Sequence, residues 1–349
     1  MKFRIDRRKL AASISGLWIP FFPSLPAPSH VAPQAVSPAV KNSRIHLLPM
    51  PGHGNEAPPA VPENLHYMGG PVMTAPKIYL VWWGRQWADG FDTIGEGPQF
   101  DSAGIQQYNR LFYAGIGGTH WQQIPGQYCE GTVPFSDECV AAPPAISMVG
   151  TQPNQLAGDW TDPVDVPGRF DDSAVQAEAI RADAHFGHPA GALYVLFSPS
   201  HHSATGFGGE NGFCAYHGEV APSSPVGAAI IYAYMPYLPD VGCGAGFVNR
   251  GDQDDFGHGI FDGFSIAGGH EYAEAITDPY VSQEPVGATV AGETTGALGW
   301  YDLLGAGEIG DMCAWIPPGS DGGAANIYLS TGYFAVQSLW SNIGSHCAI

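Results

Sequence analysis

Gly268-Gly269-His270-Glu271-Tyr272-Ala273-Glu274-Ala275-Ile276-Thr277-Asp278-Pro279 is the stretch from which the rest of the chain is read. The residue before a proline avoids the helical region, so this run predicts a helix over roughly 261–277 that Asp278-Pro279 brings to an end. His270 and Glu274 are four apart and lie on one face, one turn from each other. Glu271 projects beside them. An imidazole and a carboxylate at that spacing can grip one metal ion while the neighbouring Glu handles a water. The plain alternative is a surface helix with three solvated polar groups. A cluster of acidic residues downstream tips the balance toward metal.

Working outward, Lys77-Ile78-Tyr79-Leu80-Val81-Trp82-Trp83-Gly84 is a continuous β-prone run ended by glycine, which reads as a buried strand. Ala192 to Phe197 and Ala228 to Met235 read the same way. Residues 103–114 and 174–186 carry helical periodicity, the second capped by Asp172-Ser173. The tail, 299–349, reads as loops and short strands. Strands mixed with a few helices predict an α+β fold: a single domain with a central mixed sheet and disulfide-stabilised loops.

The chain has 349 residues, with 47 Gly, 31 Pro, only 13 Lys plus Arg, and a formal net charge of −20. That charge argues against nucleic acid and anionic membrane surfaces as partners. Lys2, Arg4, Arg7, Arg8 and Lys9 precede a short apolar stretch from Leu10 to Phe22, the pattern of a secretory signal peptide over about 1–28. The stretch is too short to span a membrane. Residues 29–65 are rich in Pro and Ala without hydrophobic periodicity and are expected to be a propeptide or linker, with the domain occupying 66–349. In an exported chain, Cys129, Cys139, Cys214, Cys243, Cys313 and Cys347 favour three disulfides. Nearest-neighbour pairing is the preferred arrangement among fifteen.

A metal site needs a third protein ligand. Asp278 is nearest in sequence, but eight residues of helix rise about 12 Å, so it is expected to end the helix and bind backbone N–H groups instead. Glu308 and Asp311 stand in a Gly-rich turn beside Cys313. Glu308 fits the third-ligand role by analogy with Glu-type zinc peptidases, whose third ligand is a downstream Glu, and Asp311 could ligate or orient a ligand. The alternative reading is a β-turn whose acids are solvated or bind structural calcium. Zinc is expected, with calcium or manganese left open by the number of carboxylates. His201, His202, His217 and His258 fall in loop-like stretches and are each weaker candidates. Asn249 with Asp252, Asp254 and Asp255 makes an acidic loop without EF-hand spacing. No G-x-S-x-G occurs, and a glycosidase would use Glu271 with Glu308.

Gly69-Gly70-Pro71-Val72, Ile78 to Gly84, Cys214 with His217-Gly218, His270 to Glu274 with Thr277-Asp278-Pro279, Gly299-Trp300-Tyr301-Asp302 and Glu308 to Trp315 together resemble the phosphate-induced, EXORDIUM-like secreted proteins. The likeness spans about 66–347, and 268–315 is its most specific part. The spacer between Pro279 and Gly299 is longer than the family pattern. The resemblance implies an exported protein of the cell surface or cell wall, without a settled activity. The helix also resembles zincin-like proteins with H-E-x-x-E, then Asp-Pro and a later E-x-x-D, a variant of the H-E-x-x-H helix of zinc peptidases. That likeness implies a secreted metal-dependent hydrolase acting on a peptide or cell-wall substrate. His270, Glu274 and Glu308 would hold the ion, and Glu271 would act as general base. The alternative is a non-catalytic extracellular protein with a structural ion.

Overall fold

The computed structural model describes residues 45–52, 63–91, 102–140, 146–209, 212–220, 229–250, 259–281, 289–290, 293–294, 298–303 and 307–349. A mixed six-stranded sheet organises them. Its strands, in chain order, are β1 (Ile45–Pro49), β2 (Lys77–Trp83), β3 (Leu156–Asp162), β4 (Ala192–Phe197), β5 (Phe213–Val220) and β6 (Ile230–Met235). Across the sheet they run β1-β5-β6-β4-β2-β3. β6, β4, β2 and β3 are parallel neighbours, while β5 is antiparallel to both β6 and β1. β2 and β4 are buried on both faces, which is why they read as unbroken apolar runs.

Three helices set the layers: α1 (Ser102–Gly115), α2 (Asp172–Phe186) and α3 (Asp262–Thr277). α2 lies on one face of the sheet, where the Tyr216 and Tyr232 hydroxyls donate to Asp172 Oδ1 at 3.0 and 2.8 Å. Successive side chains of a strand point to opposite faces. Tyr216 therefore points to α2, and the next residue, His217, points to α3 across the sheet.

All sixteen residues of α3 are buried. It is thus a core helix rather than the surface helix that three polar residues suggest. Its glycines allow that depth: a Cβ on Gly268 would meet the Tyr113 hydroxyl at 2.5 Å, and one on Gly269 would meet Trp121 at 3.3 Å. Tyr113 of α1 donates to the Gly268 carbonyl at 3.2 Å, and Tyr108 bonds Ser265 at 2.8 Å. A hairpin of Ala325–Leu329 and Gly332–Val336 covers the helix further and leads directly into Gln337.

Cys129–Cys139, Cys214–Cys243 and Cys313–Cys347 are bonded, the nearest-neighbour set. Among the described residues no helix is long and apolar enough to cross a membrane. β3 and β5 are sheet members that the sequence reading did not single out.

The expected linker over 29–65 needs a correction at residues 45–49. This stretch is β1, paired with β5 from Ile45↔Gly218 to Pro49↔Phe213. The physical reason is the open edge of β5: its backbone N–H and C=O groups need partners, and a short apolar strand supplies them. Pro49 sits at the strand end, where the register shifts and a missing N–H is tolerated. Residues 1–44, with the expected signal peptide, lie outside the described residues.

Candidate metal centre

His270, Glu271 and Glu274 project from α3 toward β5, β1 and the 307–313 turn, and all three are fully buried. His270 is held by its far ring nitrogen. The Gln337 amide donates to the carbonyls of Gly310 at 2.8 Å and Ser338 at 3.3 Å, which leaves its Oε1 to accept from His270 Nδ1 at 3.2 Å. Nδ1 therefore carries a proton, and Nε2 is the ring nitrogen turned toward the carboxylates. A metal-ligating histidine is held in the same way, with its second nitrogen fixed by an outer hydrogen bond. Nε2 is 3.0 Å from Glu274 Oε1 and 3.7 Å from Asp311 Oδ1, yet it has no aligned hydrogen-bond partner.

The turn that carries the acids is fitted closely to the helix. The Asp311 N–H donates to Glu274 Oε1 at 3.1 Å, and the Glu308 N–H donates to Asp311 Oδ2 at 3.0 Å. A short 3₁₀ turn, Asp311–Cys313, follows, and the Cys313–Cys347 disulfide ties it to the C-terminal hairpin.

Two further imidazoles come from the sheet. His46 and His217 are direct partners in the β1–β5 ladder, so both rings point to the face that α3 covers, 5.8 Å apart. His217 Nε2 donates to the Asp278 carbonyl at 3.3 Å. Its Nδ1 is then the bare nitrogen, 3.2 Å from Glu271 Oε2 and 3.5 Å from Glu274 Oε2. His46 pairs with Asp311 through Nε2 and lies 3.3 Å from Glu308 Oε1 through Nδ1.

Three groupings have ligand atoms within 4.8 Å of one another: His270, Glu274 and Asp311; His46, Glu274 and Glu308; His217, Glu271 and Glu274. The expected residues thus meet in one cluster, but in a different partition. Asp311 stands beside His270, and Glu308 faces His46 and His217 instead. Asp278 takes the role expected of it. It ends the helix, and its Oδ1 accepts the Gly299 N–H at 2.8 Å.

The electrostatics follow from burial. Burial pushes the carboxyls of Glu271 and Glu308 well above their usual range, and the neighbouring Glu274 charge adds to it. Asp278 is raised to about 6, chiefly by burial. Burial and then the other two imidazoles hold His217 well below its ordinary value. Burial works against charge on His46 as well, but Asp311 and Glu274 more than offset it and carry it to about 9. His270 is likewise raised by Glu274 against burial. Asp311 is lowered: burial opposes its charge, and the adjacent His46 outweighs that.

Two members were missed or undervalued from sequence. His46 lies in a stretch read as linker. His217 was read as a loop residue but sits mid-strand in β5. His202 accepts from the Gln86 amide at 3.3 Å, and His201 is exposed near Asp240, so neither joins the cluster. Asn249 bonds Asp262. Asp252, Asp254, Asp255 and His258, and most of the long spacer after Pro279, lie outside the described residues. No family model, curated protein or solved structure matches the chain.

Proposed function

We propose that this chain is an exported, zincin-like metal-dependent hydrolase acting on peptide bonds, with the EXORDIUM-like resemblance pointing to the cell surface or wall as its setting. The observation that carries the reading is the Nε2 of His270, oriented by Gln337 and set beside Glu274 and Asp311. These three residues would hold the ion, with Glu308 in reach of the same cluster. An imidazole with carboxylates suits zinc or manganese. Calcium and magnesium prefer all-oxygen shells. Such an ion acts as a Lewis acid and lowers the pKa of water toward neutrality.

The chain's own residues supply the proton handling. Glu271 lies outside the His270 grouping, and its Oε1 has no hydrogen-bond partner. It is placed to take a proton, and once protonated it can donate from Oε2 to the bare Nδ1 of His217 at 3.2 Å. His217 cannot turn away, because Asp278 holds its other nitrogen. Burial raises the proton affinity of Glu271, so its carboxylate, ionised beside a bound cation, would be a stronger base than an exposed one.

One observation favours the second reading, a non-catalytic extracellular protein with a structural ion. His270, Glu271, Glu274 and Glu308 are all fully buried, and closed sites are structural. Among the described residues of the cluster, His46 and Asp311 are the ones that reach solvent, with side chains 19% and 12% exposed. Elemental analysis and a peptide-library assay on wild type, Glu271→Gln and His270→Ala separate the two. The hydrolase reading expects Glu271→Gln to keep its metal and lose cleavage, and His270→Ala to lose metal. Full activity in Glu271→Gln sinks the mechanism. Metal without cleavage in wild type leaves the structural reading.

A further inference from the structure

We propose that the cluster holds a second metal ion, bound by His46 and Glu308 and joined to the first through Glu274. This rests on the reading of His270, Glu274 and Asp311 as the first site and extends it to a paired centre.

Glu274 offers one oxygen to each side. Oε1 is 3.0 Å from His270 Nε2 and Oε2 is 3.5 Å from His217 Nδ1, so the carboxylate spans the cluster and does not point at one partner. Oε2 has no hydrogen-bond partner, although it is fully buried. A carboxylate set like this can bridge two ions, which sit about 3.5–4 Å apart in paired sites.

Glu308 is the independent observation. Its side chain is 1% exposed, and neither carboxylate oxygen has a hydrogen-bond partner. A buried acid normally has its oxygens satisfied, because leaving one unmet keeps its full desolvation penalty. Here the nearest groups are ring nitrogens, His46 Nδ1 at 3.3 Å and His217 Nε2 at 3.7 Å. His46 gives its Nε2 to Asp311, which leaves Nδ1 as the atom facing Glu308. Once the His46 ring gives up its proton, this nitrogen and the buried carboxylate offer a cation one nitrogen and one oxygen ligand. The His217 grouping is the rival position, but there Glu271 already has a hydrogen bond to His217, so its need is partly met.

Glu271, Glu274, Glu308 and Asp311 meet in one buried cluster, and among the described residues their ion-pair partners are all histidines. With the carboxyls ionised as ligands, two divalent ions would balance these four charges.

The test uses the full-length chain, stripped with chelator and titrated with cobalt(II) by absorbance and with manganese(II) by spin resonance. Wild type is expected to take up two ions per chain and to show a spin-coupled manganese pair. Glu308→Gln, close in shape, and His46→Ala should each bind one ion with an uncoupled signal, with folding checked by circular dichroism. If wild type saturates at one ion, the second site does not exist; when that ion is lost in His270→Ala, the first site stands alone. Two ions retained in both Glu308→Gln and His46→Ala, or lost instead in His217→Ala, overturn the placement. No ion in wild type refutes the first site too. The wild-type titration decides even if a variant fails to fold.

Discussion

Gly310 tests whether the acidic turn is fitted to the helix as described. Its φ of −82° and ψ of −42° suit any L-residue, so alanine meets no backbone objection there. Space is the only obstacle. A Cβ at this position would lie 2.5 Å from His270 Nδ1 and 2.8 Å from both His270 Cε1 and Glu274 Oε1. Non-bonded heavy atoms settle at about 3.5–4.0 Å, so the overlap is roughly 1 Å. His270 cannot swing aside without breaking its bond to Gln337, and α3 is packed on every side. Overpacking costs about 1–3 kcal/mol. Against that, removing a glycine stiffens the unfolded chain and returns about 0.4–1 kcal/mol. The steric term wins, and Gly310→Ala should be less stable by about 1–2 kcal/mol. The effect on function should be larger. Ligands need placing within about 0.5 Å, and a 1 Å error can cost around 10²-fold. The assay pairs urea unfolding of the metal-free protein with a competitive zinc titration. A variant as stable as wild type with unchanged zinc affinity refutes the close approach of this turn to His270.

Two further outcomes follow from the same geometry. Gln337→Leu removes the acceptor for His270 Nδ1 and the donor to the Gly310 carbonyl; zinc affinity should fall by about 10–100-fold, and unchanged competition against a chelating dye would show that the ring is oriented by something else. In the metal-free protein, His46 has a folded pKa of about 9 against 6.5 unfolded, so the stability it contributes is full below pH 6.5 and is lost as pH rises through 9. The raised carboxyls of Glu271 and Glu308 lose stability in the same direction. His46→Ala should remove a share of that slope, up to about 3 kcal/mol, and identical thermal-melt profiles over pH 6–10 would count against the pairing of His46 with Asp311.

The motif helix was legible because its cues are local: the i, i+4 spacing and the proline stop act within one segment. The disulfides were legible for a related reason, since short loops close most cheaply. Burial of the helix was not legible. Its polar residues look like a solvent face, and only the opposing sheet, α1 and the hairpin before Gln337 reveal that every side is covered. Glu308 and Asp311 illustrate a finer limit. Both acids were visible in the sequence, but which one faces His270 depends on turn geometry, including Gly307 at φ +125°.

His46 is the sharper case, because its contribution depends on a pairing far along the chain. Nothing in Ile45-His46-Leu47-Leu48-Pro49 distinguishes it from the Pro-rich sequence around it. It becomes meaningful only beside β5, where the register sets His46 opposite His217. A slip of one residue would turn the ring to the other face, toward α2, and leave Glu308 and Asp311 facing no imidazole from that strand. The apolar Leu48 resists such a slip, being fully buried two residues further along on the same face as His46. The strand that closes the sheet's edge and the strand that completes the metal cluster are therefore the same five residues. A chain that begins its fold at residue 66 would lack both the edge partner of β5 and the one cluster imidazole that reaches solvent.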